Sequence, residues 1–376
     1  MKYLEKDLEV ELEKLKRQTK KPNVLICGQT GAGKSSVVNY LFNDDIAIVG
    51  DGKPQTEDIN LYENETINIY DSEGYEIGAE KQQHYKKLII DDFLNNHRSL
   101  SDKSEDCIHL VWYALNGAVK RITDIDIQLI KQINHDYKIC ILLTKIDEMD
   151  EEQLSNMKTT LKKELPSIKY FCLSTKDKEI EILKQYTQWN ELISWSYDVL
   201  PDVCKEKFLY SVREGLEEKR RQGRIITTAA AIGAAGIGAS PIPFSDAALL
   251  VPTQTGMMVR IFTLFGVKMS ASSIESLVSD IGVSAAGKFV AGNLIKLIEI
   301  DGINWIGSAI NTSVAATFTE AIGMVLTEIL YNDAMQVVNG KKEAMTVEEI
   351  LEKIDFIKQV MDYFKAAKKS KKSENE

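Results

Sequence analysis

Gly28-Gln29-Thr30-Gly31-Ala32-Gly33-Lys34-Ser35 is the stretch on which the reading of this chain turns. It fits G-x-x-x-x-G-K-[ST], a loop whose glycines let successive backbone N–H groups turn inward around phosphate oxygens. Lys34 adds a positive charge at the β- and γ-phosphates, and Ser35, followed by Ser36, supplies a hydroxyl ligand for Mg²⁺. The helix expected next contributes the positive end of its dipole. The required context is present. Val24–Cys27 before the loop is a short apolar run that reads as a buried strand, and SSVVNYLF after it reads as a helix.

Four further elements follow in chain order. Thr56 lies in the stretch GDGKPQTED, read as a loop, where its hydroxyl can reach Mg²⁺ when a γ-phosphate is bound. Asp71-Ser-Glu-Gly74 ends a strand and offers a carboxylate near the metal and a glycine N–H for the γ-phosphate. Thr144-Lys145-Ile-Asp147 ends another, and the Asp147 carboxylate suits the N1–H and exocyclic amine of guanine. Adenine lacks that donor pair, and leaving such a carboxylate unpaired costs ~1–3 kcal/mol. Ser174-Thr175-Lys176 ends a last strand, placing a backbone N–H and an aliphatic stem beside the base. Five elements in this order predict a domain that binds GTP with Mg²⁺.

On these residues, 22–194 resembles a translation-factor-class P-loop GTPase of the Era-like branch, to which Ser35-Ser36 and Asn39 in GKSSVVNYLF also conform. The resemblance implies phosphate, metal and base roles for Gly28, Gly33, Lys34, Ser35, Thr56, Asp71, Gly74, Lys145 and Asp147, and GTP hydrolysis as the activity. The sequence departs from the branch in three places. Thr144 replaces the usual Asn, as in dynamin-like and immunity-related GTPases, which implies modest nucleotide affinity. Gly31 stands where potassium-dependent relatives carry Asn, so potassium activation is not expected. Tyr75 follows Gly74, where Ras-like proteins place the glutamine that orients water. A phenol lacks that amide's paired donor and acceptor, so intrinsic turnover should be slow unless Glu73, His84, Arg121, a protein activator or a second copy supplies the missing group.

Around these motifs, residues 59–70 read as two strands joined at Glu63–Asn64, and apolar runs recur at Cys107–Leu115, Ile139–Thr144 and Lys169–Leu173. Helical segments at 123–134, 150–165 and 178–194 alternate with them. That alternation predicts an α/β domain with a mostly parallel sheet flanked by helices. His109, on an apolar strand, reads as a satisfied core histidine. Ahead of the domain, Leu4, Leu8, Leu12 and Leu15 make an amphipathic helix within residues 1–21.

After residue 195 the composition changes. Residues 225–330 hold 4 basic and 7 acidic side chains in 106 positions, and Ala, Gly and Ile dominate, which predicts an all-α domain over 195–366. Thr346 with Glu349 forms a capping box before a helix striped by Ile350, Ile354, Ile357, Met361 and Phe364. Residues 367–376 read as a disordered tail. The charge-free stretch 225–245 is 21 residues long, enough to span a bilayer, but three glycines, six alanines and Pro241/Pro243 dilute it. Residues 302–319 are also charge-free, and 281–298 carry only Lys288 and Lys296. Two readings follow: a close-packed small-residue core, or a membrane-inserting hairpin with small-xxx-small helix contacts. The segment GASPIPFSDAALLVPTQTGMMVRIF resembles an uncharacterised helical domain found behind Era-like GTPase domains and in bacterial inner-membrane proteins. The resemblance implies a bacterial source and carries no activity with it.

With 46 basic and 56 acidic residues, the net charge of −10 argues against a nucleic-acid partner, and Gly233-Ala-Ala-Gly236 lacks the basic flanks of an RNA-clamping GxxG loop. Five widely spaced cysteines without a CxxC pair exclude a disulfide framework and a Cys-based zinc site. The N-terminus is charged throughout, so the expected setting is the cytoplasm, with peripheral or inserted contact at the inner membrane if the second reading holds. The expected partners are GTP and GDP, with membrane lipid, a second copy of the chain and a protein activator or effector left open. Hydrolysis would release the Thr56 and Gly74 loops and change how the helical domain docks. A self-assembling, membrane-remodelling GTPase is the alternative, and a ribosome-assembly role fits the acidic charge poorly.

Overall fold

The computed structural model describes residues 19–42, 53–56, 59–76, 78–98, 107–237, 245–267, 312–340, 343–347, 349–350 and 356–373. The helix expected near the N-terminus and the segments 281–298 and 302–311 lie outside them. The chain divides into two compact units, one of which is Gln18–Gly215.

That unit is built on a seven-stranded sheet in the order β2-β3-β4-β1-β5-β6-β7. The strands are β1 (Asn23–Gly28), β2 (Lys53–Thr56), β3 (Ile59–Glu63), β4 (Asn68–Ser72), β5 (Leu110–Asn116), β6 (Ile139–Thr144) and β7 (Lys169–Cys172). β4, β1, β5, β6 and β7 run parallel, while β2 and β3 are antiparallel additions at one edge. β1 and β6 are buried at every position, as expected of central strands covered on both faces. Trp112 and Tyr113 on β5 are completely buried on opposite sides of the sheet. A mostly parallel sheet flanked by helices is thus observed.

The helices of this unit are α1 (Lys34–Leu41), α2 (Ala79–Lys86, continued by π-helical turns over Lys87–Leu94), α3 (Asp124–Asp136), α4 (Glu151–Glu164), α5 (Trp189–Val199) and α6 (Asp202–Ser211). Thr123 with Asp126 and Asp150 with Gln153 form capping boxes that start α3 and α4. α1 begins at Gly33 in the left-handed conformation and has no side-chain cap, so its first N–H groups point outward without a side-chain acceptor.

Three elements of this unit differ from the sequence reading. Thr56 closes the edge strand β2 and pairs with Ile59 across an irregular register, where a loop was expected. Residues 178–194 are not one helix: a single 3₁₀ stretch, Glu181–Gln185, precedes α5. Polar side chains cause the break. Asp177 accepts the hydroxyls of Tyr40 (2.7 Å) and Thr187 (3.0 Å), and Gln188 Oε1 accepts the Cys172 N–H at 3.0 Å, folding the chain back to the end of β7. The helix following Gly78 was not foreseen, because its first half is almost wholly polar.

The other unit is helical where described: α7 (Leu216–Ile237), α8 (Ser245–Leu264), α9 (Thr312–Val338) and α10 (Phe356–Ser373). No helix among the described residues is long and apolar enough to cross a membrane. The Thr346–Glu349 capping box is present, each backbone N–H donating to the other side chain. α10 extends to Ser373, into the stretch read as a tail. α7 and α9 pack where glycine meets threonine, and Glu328 accepts from Arg220 and Arg224 on one side of that contact.

Candidate functional site

All five parallel strands deliver their C-terminal ends to one edge, where an open α/β sheet places its ligand crevice. Gly28 ends β1 with φ +132°, and a Cβ there would lie 2.2 Å from the Ala114 carbonyl oxygen, so no side chain fits between the loop and β5. Gln29, Thr30 and Gly31 carry the loop outward, and Ala32 is fully buried beneath it.

The Lys34 side chain is folded under the loop. Its ammonium donates to the carbonyls of Gly28 (3.3 Å) and Gln29 (3.2 Å). Burial lowers its pKa, while the nearby Asp71 carboxylate works the other way. Ser35 donates its hydroxyl to Asp71 Oδ2 at 2.7 Å, while Ser36 beside it is exposed. Asp71 is 4% exposed, and its Oδ1 has no hydrogen-bond partner among the described residues. A buried carboxylate oxygen left open beside a serine hydroxyl is an oxygen donor set that fits a hard cation such as Mg²⁺. Burial raises the Asp71 pKa, with the Ser35 hydrogen bond and Lys34 opposing it.

A raised folded-state pKa means that protonated Asp71 stabilises the fold, and that this contribution is lost as pH rises through the folded value. At neutral pH the ionised group therefore works against the nucleotide-free fold. Asp71→Asn is expected to melt a few degrees above wild type at pH 7.5 without ligand, with the gap closing on acidification. The same variant is expected to lose any Mg²⁺ dependence of nucleotide affinity; thermal shift with and without Mg²⁺ reads both.

The loop after β4 lies against the phosphate loop. Gly74 has φ +87°, and a Cβ on it would be 2.5 Å from Lys34 Nζ and 2.7 Å from Thr30 N, so glycine is required. Thr30 N–H donates to the Tyr75 carbonyl at 3.0 Å. The Tyr75 phenol points the other way. It donates to Asp126 Oδ1 at 2.5 Å, and Tyr113 donates to the same oxygen at 2.9 Å. Tyr85, buried on α2, accepts the Gly28 N–H at 2.9 Å and stands 2.8 Å from the Ser72 hydroxyl. Glu73, His84 and Arg121 lie exposed on the surface. His109 is a core histidine, its Nδ1 accepting the Asn23 N–H at 3.0 Å.

At the other end of the edge, Thr144 is buried and donates to the Ala32 carbonyl at 2.7 Å, with the Leu115 carbonyl 3.1 Å away. Lys145 adopts φ +53°, a left-handed conformation that a lysine holds only at a cost of about 1–2 kcal/mol. Asp147 accepts from the Ser174 hydroxyl (2.7 Å) and pairs through Oδ2 with Lys176 Nζ (3.0 Å). Burial opposes its charge, but these two partners outweigh it and hold the carboxyl below the usual range. Thr175 is exposed between them. A base that takes the Asp147 oxygens must therefore displace the half-exposed Lys176. The sequence reading missed Tyr85, Asp126 and Asn116, whose amide donates to the Gly31 carbonyl at 3.1 Å. Only the Asn116-Gly117 turn pair after an apolar run marked that position.

A glycine-loop, lysine and serine set at the switch of a mostly parallel sheet defines a phosphate-binding α/β protein. Residues 23–145 match the family described as 50S ribosome-binding GTPase, and residues 206–355 match a domain of unknown function, DUF697. A probable GTP-binding protein EngB of Mycoplasmopsis pulmonis is 30% identical over 146 residues, 38% of this chain and 74% of that protein. Septin-8-A of Danio rerio is 25% identical over 166 residues, 39% of each chain. The crystal structure of a probable GTP-binding protein engB is 17% identical, covering 44% of this chain and 95% of that one, with a TM-score of 0.32. The chain belongs to the P-loop GTPase family. It spans less than two-fifths of the septin it matches.

Proposed function

We propose that the protein binds GTP with Mg²⁺ and hydrolyses it slowly to GDP and phosphate, as a nucleotide-dependent switch of the Era-like kind. The observation that carries this is the convergence at one sheet edge of buried Lys34, the Ser35–Asp71 pair and Asp147, each at a strand or helix end. Lys34 and the N–H groups of Gly28–Ser36 hold and neutralise the phosphates, and Asp147, Ser174 and Lys176 take the base. Ser35, Asp71 and Thr56 are the residues that would hold Mg²⁺, which when bound neutralises charge developing on the phosphates. Gly74 rests on Lys34 and Thr30, so an arriving γ-phosphate meets this loop first and repositions it. The Tyr75 phenol is committed to Asp126 and orients no water, which supports slow intrinsic turnover. Glycine–threonine packing of α7 on α9 supports a close-packed helical core over a lipid-inserting hairpin.

Phosphate release by the full chain tests this reading, with GTP against ATP and with and without liposomes. GTP turnover slower than one per minute, absent with ATP and indifferent to lipid, is expected. Failure to bind GTP, or equal use of ATP, would sink the proposal. Turnover per molecule that climbs with protein concentration, or with lipid, would favour the self-assembling membrane-remodelling alternative.

A further inference from the structure

Two carbonyls at the turn of the phosphate loop, Gly31 O and Ala32 O, each accept a hydrogen bond from a side chain at a strand end. Gly31 is the weaker of these positions. It has φ +74° and, among the described residues, nothing within 4 Å of where a Cβ would be; within the loop one bond holds its peptide, Ala32 N–H donating to the Gln29 carbonyl at 3.1 Å. Thr144 has a single hydroxyl proton, and its 2.7 Å bond commits that proton to Ala32 O. The Gly31 carbonyl is left to Asn116, which stands beside Thr144 in the β5–β6 register. The Asn116 amide has one consistent orientation: Oδ1 accepts the Ala118 N–H at 3.0 Å, so Nδ2 is the atom that meets Gly31 O.

We infer that Asn116 is a positioning residue for the nucleotide. Through Gly31 O it fixes the outer peptide of the phosphate loop, a role Thr144 cannot fill alone. This rests on the GTP-binding reading and assigns part of that site to a residue outside its motifs.

The test separates the two bonds of Asn116. Asn116→Ser keeps a neutral side-chain acceptor for Ala118 N–H but is too short to reach Gly31, whereas Asn116→Ala loses both bonds. Dissociation of a fluorescent GDP analogue is timed by stopped flow, alongside melting of the nucleotide-free proteins. Both variants are expected to release the analogue roughly three- to tenfold faster than wild type, the range one neutral hydrogen bond supports, Asn116→Ser at an unchanged melting temperature and Asn116→Ala a few degrees lower because it also loses the cap on Ala118 N–H. Wild-type release from Asn116→Ser overturns the inference, whether or not Asn116→Ala is faster. Faster release from Asn116→Ser that comes with a lowered melting temperature overturns it too, because Asn116 then serves the folding of its turn. A wild-type protein that does not bind the analogue removes the GTP-binding reading itself, a distinct failure.

Discussion

Lys34→Ala is expected to abolish measurable GTP and GDP binding while leaving the nucleotide-free fold at least as stable as wild type. The ammonium lies on the Gly28 and Gln29 carbonyls at 3.3 and 3.2 Å, long for charge-assisted bonds, and burial lowers its pKa. A lowered folded-state pKa means that the protonated lysine is disfavoured in the fold, so at neutral pH its charge costs stability. That cost is offset only when phosphates arrive. Removing the side chain relieves that cost in the empty protein, against two long hydrogen bonds and the attraction to Asp71, and takes away the cation that lies beneath the phosphate loop, a loss of at least ~3 kcal/mol, or more than a hundredfold in affinity. Arginine should not rescue it, because Gly74 is packed so close to Lys34 that even a methyl group has no room. Calorimetric titration with GDP together with thermal melting checks both halves. Retained binding would move the phosphate site elsewhere, and a large drop in melting temperature would make Lys34 a structural residue.

The placement of the candidate site residues was legible because each motif sits where a strand ends, and a strand end is a local signal. Val24–Cys27, Ile139–Thr144 and Lys169–Leu173 are apolar runs bounded by turn residues, and the strands fall there within a residue or two. What the sequence concealed is how the loops meet. Tyr75 read as a substitute at the glutamine position, yet its ring is only 2% exposed and hydrogen-bonded to Asp126, 51 residues away. Asp126 also caps α3 with Thr123, a common role that does not mark it as a partner of Tyr75. Asn116 and Tyr85 reach Gly31 and Gly28 through hydrogen bonds across 85 and 57 residues. No periodicity in a single chain encodes such pairs. The helix at Ala79–Lys86 escaped for the opposite reason: AEKQQHYK has no apolar stripe, and its stability comes from the buried Lys87–Leu94 turns it continues into.

Gly323→Val is expected to destabilise the helical unit by about 3 kcal/mol, lowering its melting temperature by roughly 6–12 °C. α7 and α9 each carry Gly-x-x-x-Thr, Gly223 to Thr227 and Gly323 to Thr327, and each glycine receives the other helix's threonine, which makes the pair antiparallel. A Cβ on Gly323 would lie 2.3 Å from Thr227 Oγ1, 2.6 Å from its Cγ2 and 2.8 Å from Met257 Sδ. Thr227 cannot turn aside. Its hydroxyl donates to the Gly223 carbonyl at 2.8 Å, and a β-branched side chain in a helix has few rotamers to choose from. Thr327 is held in the same way on Gly323. The helices must therefore separate to admit even one carbon, and Thr319, Thr327 and Leu326 lose the packing that now buries them completely. Shortening the obstructing side chain gives the discriminating control: Gly323→Ala should cost about half as much as Gly323→Val, and adding Thr227→Ala to it should recover most of the loss. A Gly323→Val protein that melts like wild type would mean that this face is open, as a hairpin awaiting lipid would leave it, and would return the membrane reading to the front.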